Sequence, residues 1–520
     1  MPLTQVGQYD ITITDYVGGI YAHLDEATCQ SLMWEANGYG GGTIVVPLAD
    51  PHLNELLDSD GNVRDGREIQ VHLDATFIAA LVPFPSSSPS VLTINGQGPG
   101  YHLRRRYVGR LNPSPNFVTN PTFATDLTGW TAVSGVTQTQ VSTPAQVGTG
   151  AIRLVSAAPG DHYSHVSSPI VFPSLPYETF AWVTGWLYVD VGVDPADLVQ
   201  GRSLFTVWSI GSTEVWKQGV RANWRNIGQW QRLKFKVYVP ANNAYNLDLR
   251  LYSPVGTVYY DELSVVREER LYLSGDPGTI VCGLVAHAQS AAIGKVSANI
   301  GCDTSGGTGS AEVTRAYKYS ERANIASAID EMRSLQGGVD WTVECDGHLR
   351  NVATFDRTGI IPTDKQTLTW DVTDESASNI ADWKWTWNPD YRADKVIVGG
   401  RASGDDFYEA FYDDPASELG WEIFKTATVE GSPQAQALAD GYGEVYQRPL
   451  NLTVTVHRRT NYDPARLIAT GSLRPCRVVR AQISEGVIQV DEDFKILKVT
   501  LNPEAETATL ELVPIANVTP

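Results

Sequence analysis

Along most of the chain, apolar and polar positions alternate with period two, and helical spacing appears in only a few places. Tyr9, Ile11 and Ile13 alternate with Asp10, Thr12 and Thr14, and Ile69, Val71 and Leu73 repeat the pattern within Arg67–Leu73. Alternation of this kind predicts strands with one buried face. Leu32–Trp34 forms an apolar segment that meets the glycine-rich turn Gly38–Gly42 and re-emerges as the strand Thr43–Pro47. Pro51 can open a short helix through Leu57, since Pro suits the first helical position, and Asp58–Gly66 reads as a loop. Strands without long helices imply an antiparallel sheet or small barrel.

The stretch Val91–Arg110 ends this first region. Leu92 and Ile94 face away from Thr93 and Asn95, the strand breaks at Gly96–Gly100, and the basic run Arg104-Arg105-Arg106 follows. That run is expected on a solvated or interface strand. Neither glycine cluster has the flanking parallel strand and long helix of a phosphate loop, so both read as turns. From Asn112 the chain changes style, and near Glu268 it resumes the earlier one. The expected organisation is therefore a host in two parts, residues 1–111 and 268–520, interrupted by a guest over 112–267. Within the guest, Leu233, Phe235, Val237 and Val239 alternate with Lys234, Lys236 and Tyr238, and Leu247, Leu249 and Leu251 with Asp248 and Arg250. Such strands between turns describe a β-sandwich, and an inserted domain must bring its ends close together.

The informative guest strand is Phe180–Asp190. It sets Phe180, Trp182, Trp186 and Tyr188 on one face and Ala181, Val183, Leu187 and Val189 on the other. Large aromatics bury the most area per residue, so most of these rings are expected in the core, with one or two left to stack on sugar. Trp208, Trp216 and Trp224 are further candidates for stacking. The opening Asn120-Pro121-Thr122-Phe123 with Gly129-Trp130, the segment Gly228–Pro240 and the closing Val258–Val266 resemble jelly-roll carbohydrate-binding modules of families four and nine. This resemblance implies sugar binding and a structural calcium, with Asp261 at the ligand position of the last strand. Ala124 departs from the pattern, because an acidic residue is usual there.

In the host, a helix is expected over Asp276–Ala292, with Pro277 near its start and Ile280, Leu284 and Ala288 in register. A second is expected over Ser320–Gln336, capped by Ser320, striped by Ile325, Ile329, Met332 and Leu335, and stopped by Gly337-Gly338. A third is expected around Pro433–Gln447. Val339–Glu344 and Gly347–Phe355 read as a hairpin, and Lys384–Asn388, Lys395–Gly399 and Leu450–His457 as strands. Arg477–Ile483, Phe494–Leu501 and Ala508–Val513 read as three strands of a barrel end.

Four host segments resemble siphophage tail-hub proteins, the tail-associated family related to myovirus baseplate hubs. They are Ser31–Pro51, Leu92–Gly109, Ala316–Glu344 and Leu473–Pro514, in the family's order. The resemblance implies a mainly β fold with a few helices (α+β), in which small antiparallel β-barrels are interrupted by the inserted jelly roll. It further implies a homotrimer at the distal tip of a virion tail. There it would touch the distal tail protein, the tape measure protein and tail tip or fibre proteins, with the guest reaching host cell-wall glycan.

Composition narrows these classes. A formal net charge of −20 opposes grip on a nucleic-acid backbone, so no sequence-specific nucleic acid is expected, and an acidic chain suits the DNA exit channel that the resemblance implies. No apolar run approaches the ~18 residues of a membrane span, and no signal peptide opens the chain. The five cysteines are isolated and odd in number, which predicts buried free thiols made in a reducing compartment. These features fit the assembly in a bacterial cytoplasm that the resemblance implies. The chain reads to the final barrel strand, so no C-terminal lytic domain is expected.

Catalytic chemistry finds no support. Neither HExxH nor GxSxG occurs, and the pair His162/His165 lacks a third metal ligand. The doublets Asp405-Asp406 and Asp413-Asp414 read as hydrated loop acids, not as an acid and base for glycoside cleavage. Two alternatives stay open, a hexameric distal tail protein and a polysaccharide-degrading enzyme with a binding module. The expectation is a non-enzyme.

Overall fold

The structure is a computed structural model of the chain. It describes residues 9–15, 19–109, 115–199, 204–210, 217–242, 244–290, 300–309, 312–335, 337–346, 349–373, 378–387, 393–401, 407–413, 422–428, 432–446, 450–486 and 488–515. The fold is mainly β with short helices. It divides into two compact units, one of residues 1–109, 273–317 and 322–520, the other of residues 110–272 and 318–321. Among the described residues, no helix is long and apolar enough to cross a membrane.

In the first unit, thirteen strands join into one sheet. Its N-terminal part runs from Ile20–His23 through Tyr9–Asp15, Arg67–Leu73, Thr76–Ser87, Val91–Gln97 and Gly41–Pro47 to Thr28–Glu35. There it meets the C-terminal strands directly, because Leu32 pairs with Leu501 and Trp34 with Val499 in antiparallel register. Ile488–Asn502, Thr507–Pro514, Leu450–His457 and Ile380–Trp387 continue the path. The two β regions at opposite ends of the sequence thus share one seam. One apolar core spans it, from Ile11, Ile13 and Ile44 to Val454, Phe494 and Leu510.

The polar face of the first strand is also buried. Thr12 and Thr14 are almost inaccessible, as are Glu68 and Gln70 on the neighbouring strand. Glu68 accepts from the Thr14 hydroxyl and the Gln70 amide and pairs with the fully buried Arg350 of Leu349–Asp356. A period-two pattern promised solvent on that face; long-range ion pairing covers it instead. A second buried pair joins Lys495 to Asp340, with Lys495 also donating to the Arg357 carbonyl at 2.6 Å. Burial alone would raise the Asp340 pKa. Lys495, Arg333 and hydrogen bonds from Lys495 and Asn37 outweigh it and hold the carboxyl well below its ordinary range.

The two glycine clusters pack on each other, but Gly41, Gly42 and Gly96 lie within paired strands, which corrects the reading of both clusters as turns alone. Gly42 pairs with Gly96 and Gly41 with Gln97, and the Gly98 N–H donates to the Gly40 carbonyl. Gly40 has φ +64°, and a Cβ on Gly98 would fall 1.8 Å from the Tyr39 carbonyl oxygen. Glycine is there for close backbone approach.

Helices follow the expected stripes with corrected ends. Pro277–Ala288 starts on Asp276, whose carboxylate accepts from the Thr279 N–H. Ile325–Arg333 is shorter than expected, and its N-cap is Asn324, not Ser320. Residue Arg322 has φ +52°, so the chain is still turning there. Leu53–Leu56 and Ser432–Tyr446 are helical, and Pro464–Ala469, capped by Asp463, is a helix too short to show an apolar stripe in the sequence. Tyr101–Arg104 is a one-turn helix, which corrects the expectation of a strand for the arginine run.

The cysteine reading also needs correction. Cys29, Cys345 and Cys476 are buried and free, but Cys282 and Cys302 are disulfide-bonded, with Cα atoms 5.2 Å apart. Packing of a helix on a strand brings them together, and no sequence spacing signals that.

The second unit is a sandwich of two antiparallel sheets. One has the order Trp230–Val239, Thr179–Val189, Gly256–Arg267, Ala151–Ser156, Val136–Val141. The other runs Lys217–Val220, Phe205–Ile210, Tyr245–Tyr252, Tyr163–Val166, Trp130–Ala132, with Ile170–Phe172 also on Tyr245–Tyr252. Its core includes Leu154, Val183, Leu187, Phe205, Leu249 and Val258. The opening segment is tied to the closing strand, since Asn116 bonds both Leu263 and Val265 and the Phe117 N–H donates to the Val265 carbonyl. The unit therefore closes on itself where the chain enters and leaves it.

Candidate functional site

The outer face of the five-stranded sheet carries the densest chemistry of the second unit. Thr179–Val189 is its inner strand, with Ala181, Val183, Leu187 and Val189 fully buried against the other sheet. Alternation then turns Phe180, Trp182, Trp186 and Tyr188 outward, where each stays partly exposed. This corrects the expectation that most of these rings fill the core. The aliphatic face fills it, because β-branched and small side chains interdigitate between sheets and leave no volume for four large rings.

Register extends the row onto both neighbours. Phe180 faces Tyr238, Trp182 faces Lys236, Thr184 faces Lys234, Trp186 faces Arg232 and Tyr188 faces Trp230. On the other side Tyr188 faces Tyr259. The Tyr188 ring lies 5.7 Å from Trp230 and 5.6 Å from Tyr259, and Phe180 lies edge-on to Tyr238 at 6.0 Å. Exposed cations cover the rings. Lys234 Nζ sits 3.9 Å from the Trp182 ring centre, Lys236 Nζ sits 4.7 Å from it, and the Arg232 guanidinium is 5.9 Å from Trp186. Each such contact is worth ~0.5–1 kcal/mol at an exposed site, so a ligand can displace it. The Tyr238 hydroxyl is hydrogen-bonded to Glu178, which raises its pKa above the ordinary value.

A bulge in Gly256–Arg267 shapes one edge of this face. Register shifts opposite Thr184 to Trp186, and Glu262 takes φ +47°. Glu262 turns outward and accepts from the Trp186 indole N–H at 2.9 Å. Asp261 turns inward and is fully buried. Its Oδ2 accepts from the backbone N–H groups of Gln146 and Val147 at 2.9 and 2.8 Å, and its Oδ1 from the N–H of Glu262 at 2.7 Å. Burial raises its pKa, against the pull of these donors.

Asp261 therefore does not fit the calcium expected from the resemblance. Calcium needs six to eight oxygen ligands, whereas the groups turned toward this carboxylate are N–H donors, which repel a cation. Among the described residues, no cluster of three or more acidic, histidine or cysteine side chains is arranged to hold a metal.

Trp208 lies on Phe205–Ile210 in the other sheet, with the Arg250 guanidinium 4.4 Å from its ring. Arg250 in turn bonds Asp248, which also meets His165 at 3.1 Å. His162 instead contacts the Ser134 carbonyl, so the two histidines have separate partners. Trp224 is 48% exposed in the 3-10 turn Trp224–Asn226 that leads to Trp230–Val239. Trp216 lies outside the described residues, as do Asp405, Asp406 and Asp414; Asp413 ends the strand Phe407–Asp413. Trp230, Tyr238, Tyr259, Arg232, Lys234 and Lys236 were missed as site residues. The signal for three of them was present, since Lys234, Lys236 and Tyr238 share the polar side of a period-two strand; what sequence lacked was the strand they pair with.

No family model matches the chain, and no curated protein matches it. Among solved structures, it is similar to a tail protein from Neisseria meningitidis MC58, at 11% identity and a TM-score of 0.43, over 97% of this chain and 96% of that one. It is similar to the prophage MuSo2 43 kDa tail protein from Shewanella oneidensis, at 10% identity and TM-score 0.41, over 98% and 100%. The CBM22-2 xylan-binding domain from Paenibacillus barcinonensis Xyn10C matches 28% of this chain and 96% of its own, at 14% identity and TM-score 0.21. At these identities and scores, function has to be argued from the chain's own residues.

Proposed function

We propose that this chain is a structural minor tail protein of a bacteriophage, the trimeric hub at the distal end of the tail, and that its inserted sandwich binds glycan of the host cell wall. The observation that carries the reading is a self-closing sandwich, with an outward row of aromatic rings, spliced into a sheet unit whose two sequence halves share one seam. Rings held in register by a sheet offer flat apolar faces to pyranose C–H groups at little entropic cost, since backbone pairing has already ordered them. The host segments that resemble tail hubs lie on both sides of the insertion, in family order. Its partners are then the distal tail protein, the tape measure protein and tip or fibre proteins, in the virion.

The test is the solution mass of the purified full-length protein by light scattering, followed by immunogold labelling of tails. A trimer that labels the distal tip is expected. A hexamer would move the assignment to the distal tail ring, and a monomer absent from tail particles would overturn the reading. Deleting residues 116–267 and bridging the ends should leave the oligomer intact while adsorption to cells falls.

A further inference from the structure

We infer that the aromatic face of the sandwich selects an acidic polysaccharide, one whose pyranose units carry carboxylates, as in a uronic acid polymer. This rests on the glycan-binding reading above and adds the ligand's charge. The chain carries a net charge of −20, yet this face sets Arg232, Lys234 and Lys236 at alternate positions along one exposed strand edge. Each lies against a ring of the row, Lys234 and Lys236 over Trp182 and Arg232 over Trp186. Arg153 turns to the same side opposite Tyr259, and among the described residues its buried Nε–H has no acceptor. Two carboxylates border the face, Glu262 accepting from the Trp186 indole and Glu178 hydrogen-bonded to the Tyr238 hydroxyl, against these four cations.

These caps discriminate between ligands. A neutral sugar that stacks on Trp182 must push two ammonium groups off the ring and offers them only neutral hydroxyl acceptors in return. A uronate displaces the same groups, presents its C–H face to the ring and accepts hydrogen bonds from the ammonium groups on its carboxylate. That exchange replaces a cation–π contact with a charge-assisted hydrogen bond, the stronger of the two. The rings favour a pyranose over an acyclic phosphate polymer, which has no flat face to stack. Phe180 to Tyr188 spans about 26 Å of strand, long enough for a polymer instead of a single sugar.

The experiment is affinity electrophoresis of the full-length protein in gels containing polygalacturonate, neutral xylan, a glycerol-phosphate polymer or oligo(dT). Retardation by polygalacturonate is expected, weakened by salt, with xylan at least about tenfold weaker. K234Q/K236Q should lose about tenfold for polygalacturonate and strengthen xylan retardation, since a neutral sugar no longer has to displace two ammonium caps, while K234R/K236R restores the preference for polygalacturonate. W182A should abolish retardation by both. Equal retardation by xylan and polygalacturonate, lost in W182A, would overturn the charge inference and leave the glycan platform standing. Retardation by no polysaccharide would overturn both. Stronger retardation by the phosphate polymer or by oligo(dT) would also overturn the carboxylate assignment.

Discussion

Replacing Asp261 with alanine tests the reading of the sandwich most directly. The carboxylate is fully buried and satisfies three backbone N–H groups at 2.7, 2.8 and 2.9 Å. Leaving a buried donor unmet costs about 1–3 kcal/mol each. Relief from burying the charge offsets part of this, so a net loss of about 3–5 kcal/mol is expected from the three unmet donors together. At a urea m-value of about 2 kcal/mol/M, the sandwich transition should move down by roughly 1.5–2.5 M. Asp261→Asn should cost less, because its single carbonyl can serve the two donors on Oδ2 while its amide opposes only the Glu262 N–H. The assay is urea unfolding of the full chain followed by tryptophan fluorescence; the host unit holds tryptophans as well, among them Trp34 and Trp341, so the sandwich transition is identified as the one D261A shifts. Excess EDTA or added calcium should leave the wild-type midpoint in place. A loss below about 1 kcal/mol in D261A would refute the capping role. A calcium-dependent wild-type midpoint that vanishes in D261A would restore the metal.

Three further outcomes are expected in the host unit. Lys495→Met leaves Asp340 buried beside only Asn37 and the half-exposed Arg333, and should cost about 3–5 kcal/mol at neutral pH. Because the Asp340 pKa is depressed in the folded protein, its contribution is present above the ordinary value of 3.8 and is lost as pH falls below that. The deficit of the variant should therefore shrink on acidification in urea titrations, and a pH-independent deficit would contradict the pairing. Alkylation of denatured, unreduced protein should modify Cys29, Cys345 and Cys476 only; five modified thiols by mass spectrometry would remove the Cys282–Cys302 bond. If the bond is present, its reduction should lower stability by about 3 kcal/mol, since it closes a loop of 20 residues. Gly98→Ala forces a Cβ onto the Tyr39 carbonyl and should cost about 3 kcal/mol, the upper end for overpacking, as read from its melting temperature.

What the sequence determined by itself was local. Period-two alternation placed the strands, and with them the mainly β class, because a half-buried strand must segregate its side chains. Stripes and caps located the helices at Pro277–Ala288 and Ile325–Arg333, although Ser320 was the wrong cap, since only the chain's path past Arg322 decides where helical geometry begins. Alternation also showed that Trp182, Trp186 and Tyr188 share a face, but not which face. That choice belonged to the opposing sheet, whose packing admits Val183 and Leu187 and turns the rings outward. The cations over those rings, the Lys495–Asp340 pair and the Cys282–Cys302 bond join residues that are distant or on different strands. Nothing in local periodicity encodes such partners, because contact energies depend on which surfaces meet, and only the tertiary structure decides that.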